Sequence, residues 1–302
     1  MSTINTHEID VGSGKGGVIK STLADRAFRA LERQGQTVKA WEADENPGLS
    51  KVLGKAKVKS ITRPIPSIED VQRERDVLVR HFDEVNEVLD NPFVIGDIGA
   101  ALAKHYVNYL RYADRPVLNR EFGIHQRFVS PFTMDANALA GTISYLTAAA
   151  EVFEPTDGYV SYIAVPVLMS SYESDYANLQ DHDDWNEIRR LQDRFGLVLT
   201  APVPHIGSSA VAYGRTKHIS MTEIFGMLSQ LEDGIRSGKM PKDKPVVDLA
   251  ASLRLAEAKA KIGQMTIVNR EQKLLAEGLR KLDEAIQPIV QFDGDASSVE
   301  AA

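Results

Sequence analysis

The stretch from His7 to Arg33 constrains the fold most. HEIDVGS (7–13) reads as a short strand and GSGKGG as a tight turn. From about Lys20 onward, Leu23, Ala27, Ala30 and Leu31 fall on one helical face. In a strand–glycine turn–helix unit, successive backbone N–H groups form an anion-binding concavity, and the helix N-terminus adds partial positive charge. Gly14, Lys15, Gly16, Gly17, Val18, Ile19, Lys20, Ser21 and Thr22 are therefore expected to surround a phosphate chain. Lys20 would reach the β- and γ-phosphates, the Ser21 hydroxyl would ligate Mg²⁺, and Thr22 would bond the α-phosphate.

The same alternation continues along the chain. TVKAWEA (37–43), FVIGDIG (93–99), QRFVSPF (126–132), GYVSYIAVPV (158–167) and LVLTAPVP (197–204) read as further strands. Helices are expected over 68–89, 101–112, 135–152 and 184–195. Several of the strands are apolar on both faces, which suits a parallel sheet covered on each side. The expected fold is α/β, a doubly wound and mostly parallel sheet over residues 1–240. MPKDKP (240–245) then breaks the pattern. A helical extension is expected over 241–290, with Leu275, Leu279, Leu282, Ile286 and Ile289 forming one apolar stripe. Residues 291–302, polar and acidic, are expected to be disordered.

With 43% hydrophobic and 25% charged residues, the 302-residue chain has enough apolar side chains for a folded core. Its net charge of −7 excludes a polycation built to coat nucleic acid. The absence of cysteine excludes disulfides, thiolate metal sites and iron–sulfur clusters. No secretory signal pattern and no membrane-length apolar run is evident, so a soluble, cytoplasmic protein is expected.

KGGVIKST (15–22) resembles the deviant phosphate-loop signature, Lys-Gly-Gly-x-x-Lys-Ser/Thr, of the ParA/MinD superfamily of ATPases. The resemblance implies that Lys15 reaches across an ATP-dependent homodimer to the partner's phosphates. VKAWEADENPGLS (38–50) is similar to the family's second strand and first switch, where Asp-x-Asp is common. Glu42 stands at the first acidic place, and Asp44 inherits the role of orienting the attacking water. FVIGDIGAA (93–101) resembles the Walker B strand: Asp97 would join Ser21 in holding Mg²⁺, and the Gly99 amide would sense the γ-phosphate. Slow ATP hydrolysis is implied, with plasmid partition as the commonest role in the family. A conjugal-transfer or mobilisation accessory ATPase of TraL type is the alternative. Implied partners are a second copy of the chain, nonspecific DNA, or a DNA-bound or transfer-machinery protein; no membrane is implied, because MinD-like members end in a basic amphipathic helix, whereas the last residues here are acidic and small.

Ile19 departs from the usual glycine. With ordinary helical angles and its side chain turned away, the cradle would survive. Otherwise the loop would be distorted, leaving an interaction protein with little or no ATPase activity. The basic run 49–63 (Lys51, Lys55, Lys57, Lys59, Arg63) reads either as a solvated loop or as a contact for phosphates or an acidic partner.

Overall fold

The computed structural model describes residues 4–15, 19–45, 47–62, 65, 71–133, 135–153, 158–168, 183–204 and 206–292. Gly16, Gly17 and Val18 of the expected phosphate loop lie outside the described residues, as do the expected tail from 293 onward and Arg63.

Seven strands form one sheet among the described residues: β1 (Thr6–Gly12), β2 (Val38–Ala43), β3 (Val58–Ile61), β4 (Phe93–Ile98), β5 (Ile124–Thr133), β6 (Val160–Val167) and β7 (Val198–Leu199). Their order is β3-β2-β4-β1-β5-β6-β7, and every neighbouring pair is parallel. Between them run α1 (Lys20–Arg33), α2 (Leu49–Leu53), α3 (Val71–Asn86), α4 (Ala103–Tyr112), α5 (Arg115–Phe122), α6 (Ala136–Ala150) and α7 (Asp183–Phe195). The fold is the expected doubly wound α/β sheet. A central parallel strand is buried on both faces, and β4 is buried at all of its positions.

The elements not expected are β3, α2, α5 and two helices of the later chain, Ser209–Lys217 and Met221–Ser237. β3 has only two apolar residues, the buried Val58 and Ile61, with Lys59 and Ser60 between them, so its sequence, VKSI, does not stand out. Part of the basic run is thus a strand and a helix. Lys57 pairs with Glu32, and Lys59 pairs with Glu84 and Glu87. α5 is short and begins with a proline in its first turn, which fits the fixed φ of that residue.

The chain packs as two compact units. The first holds the described residues up to Leu168, those from Asp183 to Pro202, and those from Asp283 onward. The second holds Val203 to Leu282. These limits differ from the expected ones at 240 and 290. In the second unit, α8 (Ser209–Lys217), α9 (Met221–Ser237), α10 (Lys244–Ser252) and the start of α11 (Lys261–Val290) share one apolar core. Leu228, Leu231, Leu249, Val268 and Leu275 are fully buried in it. The stripe on α11 is an inward face: Leu282, the last residue of the second unit, is buried, and so are Ile286 and Ile289 in the first unit. Two contacts hold the end of α11 in that unit. Arg127 of β5 donates to the carbonyls of Pro288, Ile289 and Gln291, capping the helix C-terminus. Arg26 of α1, almost wholly buried, pairs with Asp283. Among the described residues, no helix is long and apolar enough to cross a membrane.

Candidate nucleotide-binding site

β1 delivers the chain to the C-terminal edge of the sheet at Gly12. Ser13, fully buried, accepts a hydrogen bond from the Lys15 amide at 3.3 Å. Gly14 packs on the backbone of α6: a Cβ there would stand 2.9 Å from the Gly141 carbonyl oxygen. No larger residue fits, which gives this glycine a packing reason independent of any ligand.

Ile19 precedes α1 with φ 30° and ψ 25°, in the left-handed region. It does not take the ordinary helical angles that would have left the cradle unstrained. The backbone instead holds a conformation suited to glycine with a β-branched residue on it. Such a residue costs roughly 1–2 kcal/mol there. Even so, the Ile19 carbonyl accepts the Leu23 amide at 3.0 Å, so α1 begins in register. Lys20 and Ser21 open the helix; the Lys20 side chain is mostly buried, while Ser21 and Thr22 are half-buried.

Asp97 lies in β4, level with Val11 of β1 on one side and Glu42 of β2 on the other. It is completely buried, and neither carboxylate oxygen has a hydrogen-bond partner in good geometry. Burial pushes its pKa up to about 7; the Ser21 hydroxyl and Lys20 oppose the rise, and Glu42 and Asp44 add to it. Two unpartnered buried oxygens beside a serine hydroxyl and a lysine make an acceptor-rich spot that a hard divalent cation would satisfy. The residues present therefore fit Mg²⁺ at Ser21 and Asp97. Among the described residues, no cluster of three or more His, Asp or Glu side chains suits a metal held by the protein alone. Magnesium that keeps water and phosphate oxygens needs no such cluster.

The loop after β2 approaches the same spot. A Cβ on Gly99 would lie 2.7 Å from the Asp44 carboxyl carbon, and one on Gly48 would lie 2.8 Å from the Ser21 hydroxyl oxygen. Asp44 and Ser21 thus converge on one end of the sheet with Asp97. The Gly99 amide donates to the Ala43 carbonyl at 2.7 Å, so here it ties two strands together instead of pointing to a phosphate. Lys15 Nζ bonds Asp135 Oδ1 at 2.8 Å. Asp135 also caps α6 by accepting from the Asn137 and Ala138 amides, and its pKa is lowered by Lys15 first and the amides next.

One buried cluster beneath the site escaped sequence reasoning. Glu8 and Asp10 of β1 point into the core. Glu8 pairs with Arg115 at 2.5 Å. Asp10 accepts from Tyr106 at 2.8 Å and from Gln126 at 2.6 Å. Desolvation, and then the charge of Glu8, drives the Asp10 pKa well up. Alternating acids in β1 were the available signal; their partners lie about a hundred residues away in the sequence.

No family model and no curated protein sequence matches the chain. Solved structures that it resembles include the MinC:MinD cell division complex of Aquifex aeolicus, at 11% identity over 84% of this chain and 97% of that one, with a TM-score of 0.44. An ATP complex of a McdA variant from Cyanothece matches at 14% identity, 84% and 98% coverage, and a TM-score of 0.44. Cobyrinic acid a,c-diamide synthase from Mycobacterium smegmatis, with a bound ATP analogue and magnesium, matches at 20% identity, 79% and 100% coverage, and a TM-score of 0.41. At these identities and TM-scores, the likeness decides neither activity nor partner.

Proposed function

We propose that this chain is a ParA/MinD-type switch ATPase, which binds Mg-ATP at the C-terminal edge of its sheet, dimerises on it and hydrolyses it slowly. The observation that carries the reading is Asp97, buried with two unpartnered oxygens beside Ser21 and Lys20 at the start of α1. Ser21 and Asp97 would hold Mg²⁺, which when bound draws charge from the phosphate oxygens. The amides from Gly14 to Thr22 would cradle the phosphates, and Lys20 would offset their charge. Asp44 would orient the attacking water. Lys15 would leave Asp135 to stabilise charge on the partner's bound nucleotide, the part an arginine finger plays elsewhere. Acting in the cytoplasm, such a switch would position or segregate cargo. Plasmid partition, with nonspecific DNA as a partner, is the role the motifs favour, and a TraL-type accessory to conjugal transfer is the alternative within the same chemistry.

The left-handed Ile19 favours a second reading, an interaction protein whose strained loop no longer turns over ATP. Size-exclusion chromatography with light scattering, with and without ATP and Mg²⁺, separates the two. The switch reading expects a nucleotide-dependent shift from monomer to dimer; a mass independent of nucleotide refutes it.

A further inference from the structure

Helix α2 starts without a cap of its own. Its N-cap residue is Gly48, which has no side chain to bond the first amides. A residue with a side chain could not sit there, because its Cβ would be 2.8 Å from the Ser21 hydroxyl oxygen. The missing acceptor comes from β2. Glu42 Oε2 accepts from the Leu49 amide at 2.9 Å and the Ser50 amide at 3.2 Å, the first two residues of α2. Glu42 Oε1 accepts from the Ser60 hydroxyl of β3 at 2.8 Å. The two amide bonds are buried, with Glu42 and Leu49 wholly enclosed and Ser50 nearly so, while Ser60 is exposed. Three charge-assisted hydrogen bonds thus converge on one carboxylate.

We propose that Glu42 is a positioning residue for hydrolysis, capping α2 from the neighbouring strand so that Gly48 can lie against Ser21 and Asp44 is held at the site. The proposal rests on the nucleotide reading above. Between Glu42 and α2 the chain has only six residues, Asp44 among them. With both ends of that segment fixed, the Asp44 carboxylate is confined against Gly99. Glutamate suits the task better than a shorter acid, since one carboxylate must span from β2 to both α2 and β3. Removing the brace would let the loop leave Ser21 while the phosphate cradle, built from β1 and α1, stays in place.

The test uses the full chain. Glu42→Ala is expected to lower kcat about 10- to 100-fold, as displacement of a water-orienting group does, while the Kd for Mg-ATP changes less than about threefold. Glu42→Gln retains a side-chain oxygen for the two amides and should keep kcat within about threefold of the parent. Glu42→Asp keeps the charge but shortens the side chain; it should follow Ala and serves if the Ala variant does not fold. A purely structural role would lower thermal stability in Ala and leave kcat intact below the transition, which overturns the proposal, as does a parallel weakening of Kd. Hydrogen exchange at the Leu49 and Ser50 amides reads the brace without nucleotide. Faster exchange in the Asp or Ala variant, and not in Gln, is expected; equal rates in all forms overturn the proposal. If the parent chain neither binds nor hydrolyses ATP, the nucleotide reading fails, and the exchange result still decides whether Glu42 braces the loop.

Discussion

Ile19→Gly isolates the one residue in the loop that works against it. Isoleucine at φ 30° carries the left-handed penalty of an L-residue, about 1–2 kcal/mol. Glycine removes that penalty but adds freedom to the unfolded chain, worth about 0.5–1 kcal/mol against folding. The net expectation is a gain of up to about 1 kcal/mol, which for a chain this size raises Tm by roughly 1–3 °C. Ile19→Ala removes the branch but keeps a Cβ at positive φ, so it should gain little or nothing. Mg-ATP affinity should rise with the glycine variant, by a factor of up to about ten if the relieved strain is spent on binding. Urea unfolding, thermal scans and calorimetry on the three chains provide the measurements. A glycine variant less stable than the parent, or an alanine variant that gains as much as glycine, would refute the strain argument.

Three other substitutions have defined outcomes. Asp97 holds a proton up to about pH 7 when folded, while the unfolded chain releases it near 3.8. The folded state therefore binds more protons between those values, and stability falls as pH rises through them, by up to about 4 kcal/mol. Asp97→Asn should remove that slope, leaving a protein more stable than the parent at pH 8 and no more stable at pH 4, with Mg²⁺-dependent ATP binding lost. Lys15→Ala should abolish the ATP-dependent dimer seen by light scattering. It should leave the unfolding transition essentially where it is, because its pair with Asp135 is solvent-exposed. Arg115→Ala leaves Glu8 buried without its cation, and urea unfolding should show a loss of about 3–5 kcal/mol.

The motifs stood out in the sequence because their chemistry is local. A glycine turn between strand and helix, an acid at the end of an apolar strand, and an acid immediately after β2 each show themselves within a dozen residues. The parallel sheet was legible from runs apolar on both faces, as in GYVSYIAVPV. What stayed hidden depends on distant partners. Glu8 and Asp10 look like the polar positions of a half-exposed strand until Arg115, Tyr106 and Gln126 arrive from α4, α5 and β5. The packing of Gly14 on Gly141 and the approach of Gly48 to Ser21 follow from tertiary contact alone. Ile19 stood out from its place in the motif, but its left-handed angles show only in the folded chain. MPKDKP looks like a boundary in the sequence, yet the core shared by α9 and α10 runs across it.

Calorimetric titration of the parent chain with ATP, with and without Mg²⁺ at pH 8, tests the central claim most directly. Binding that is saturable, requires Mg²⁺ for full affinity and disappears in Asp97→Asn is the predicted result. No heat of binding with the parent chain, or equal binding with and without the cation, would contradict it.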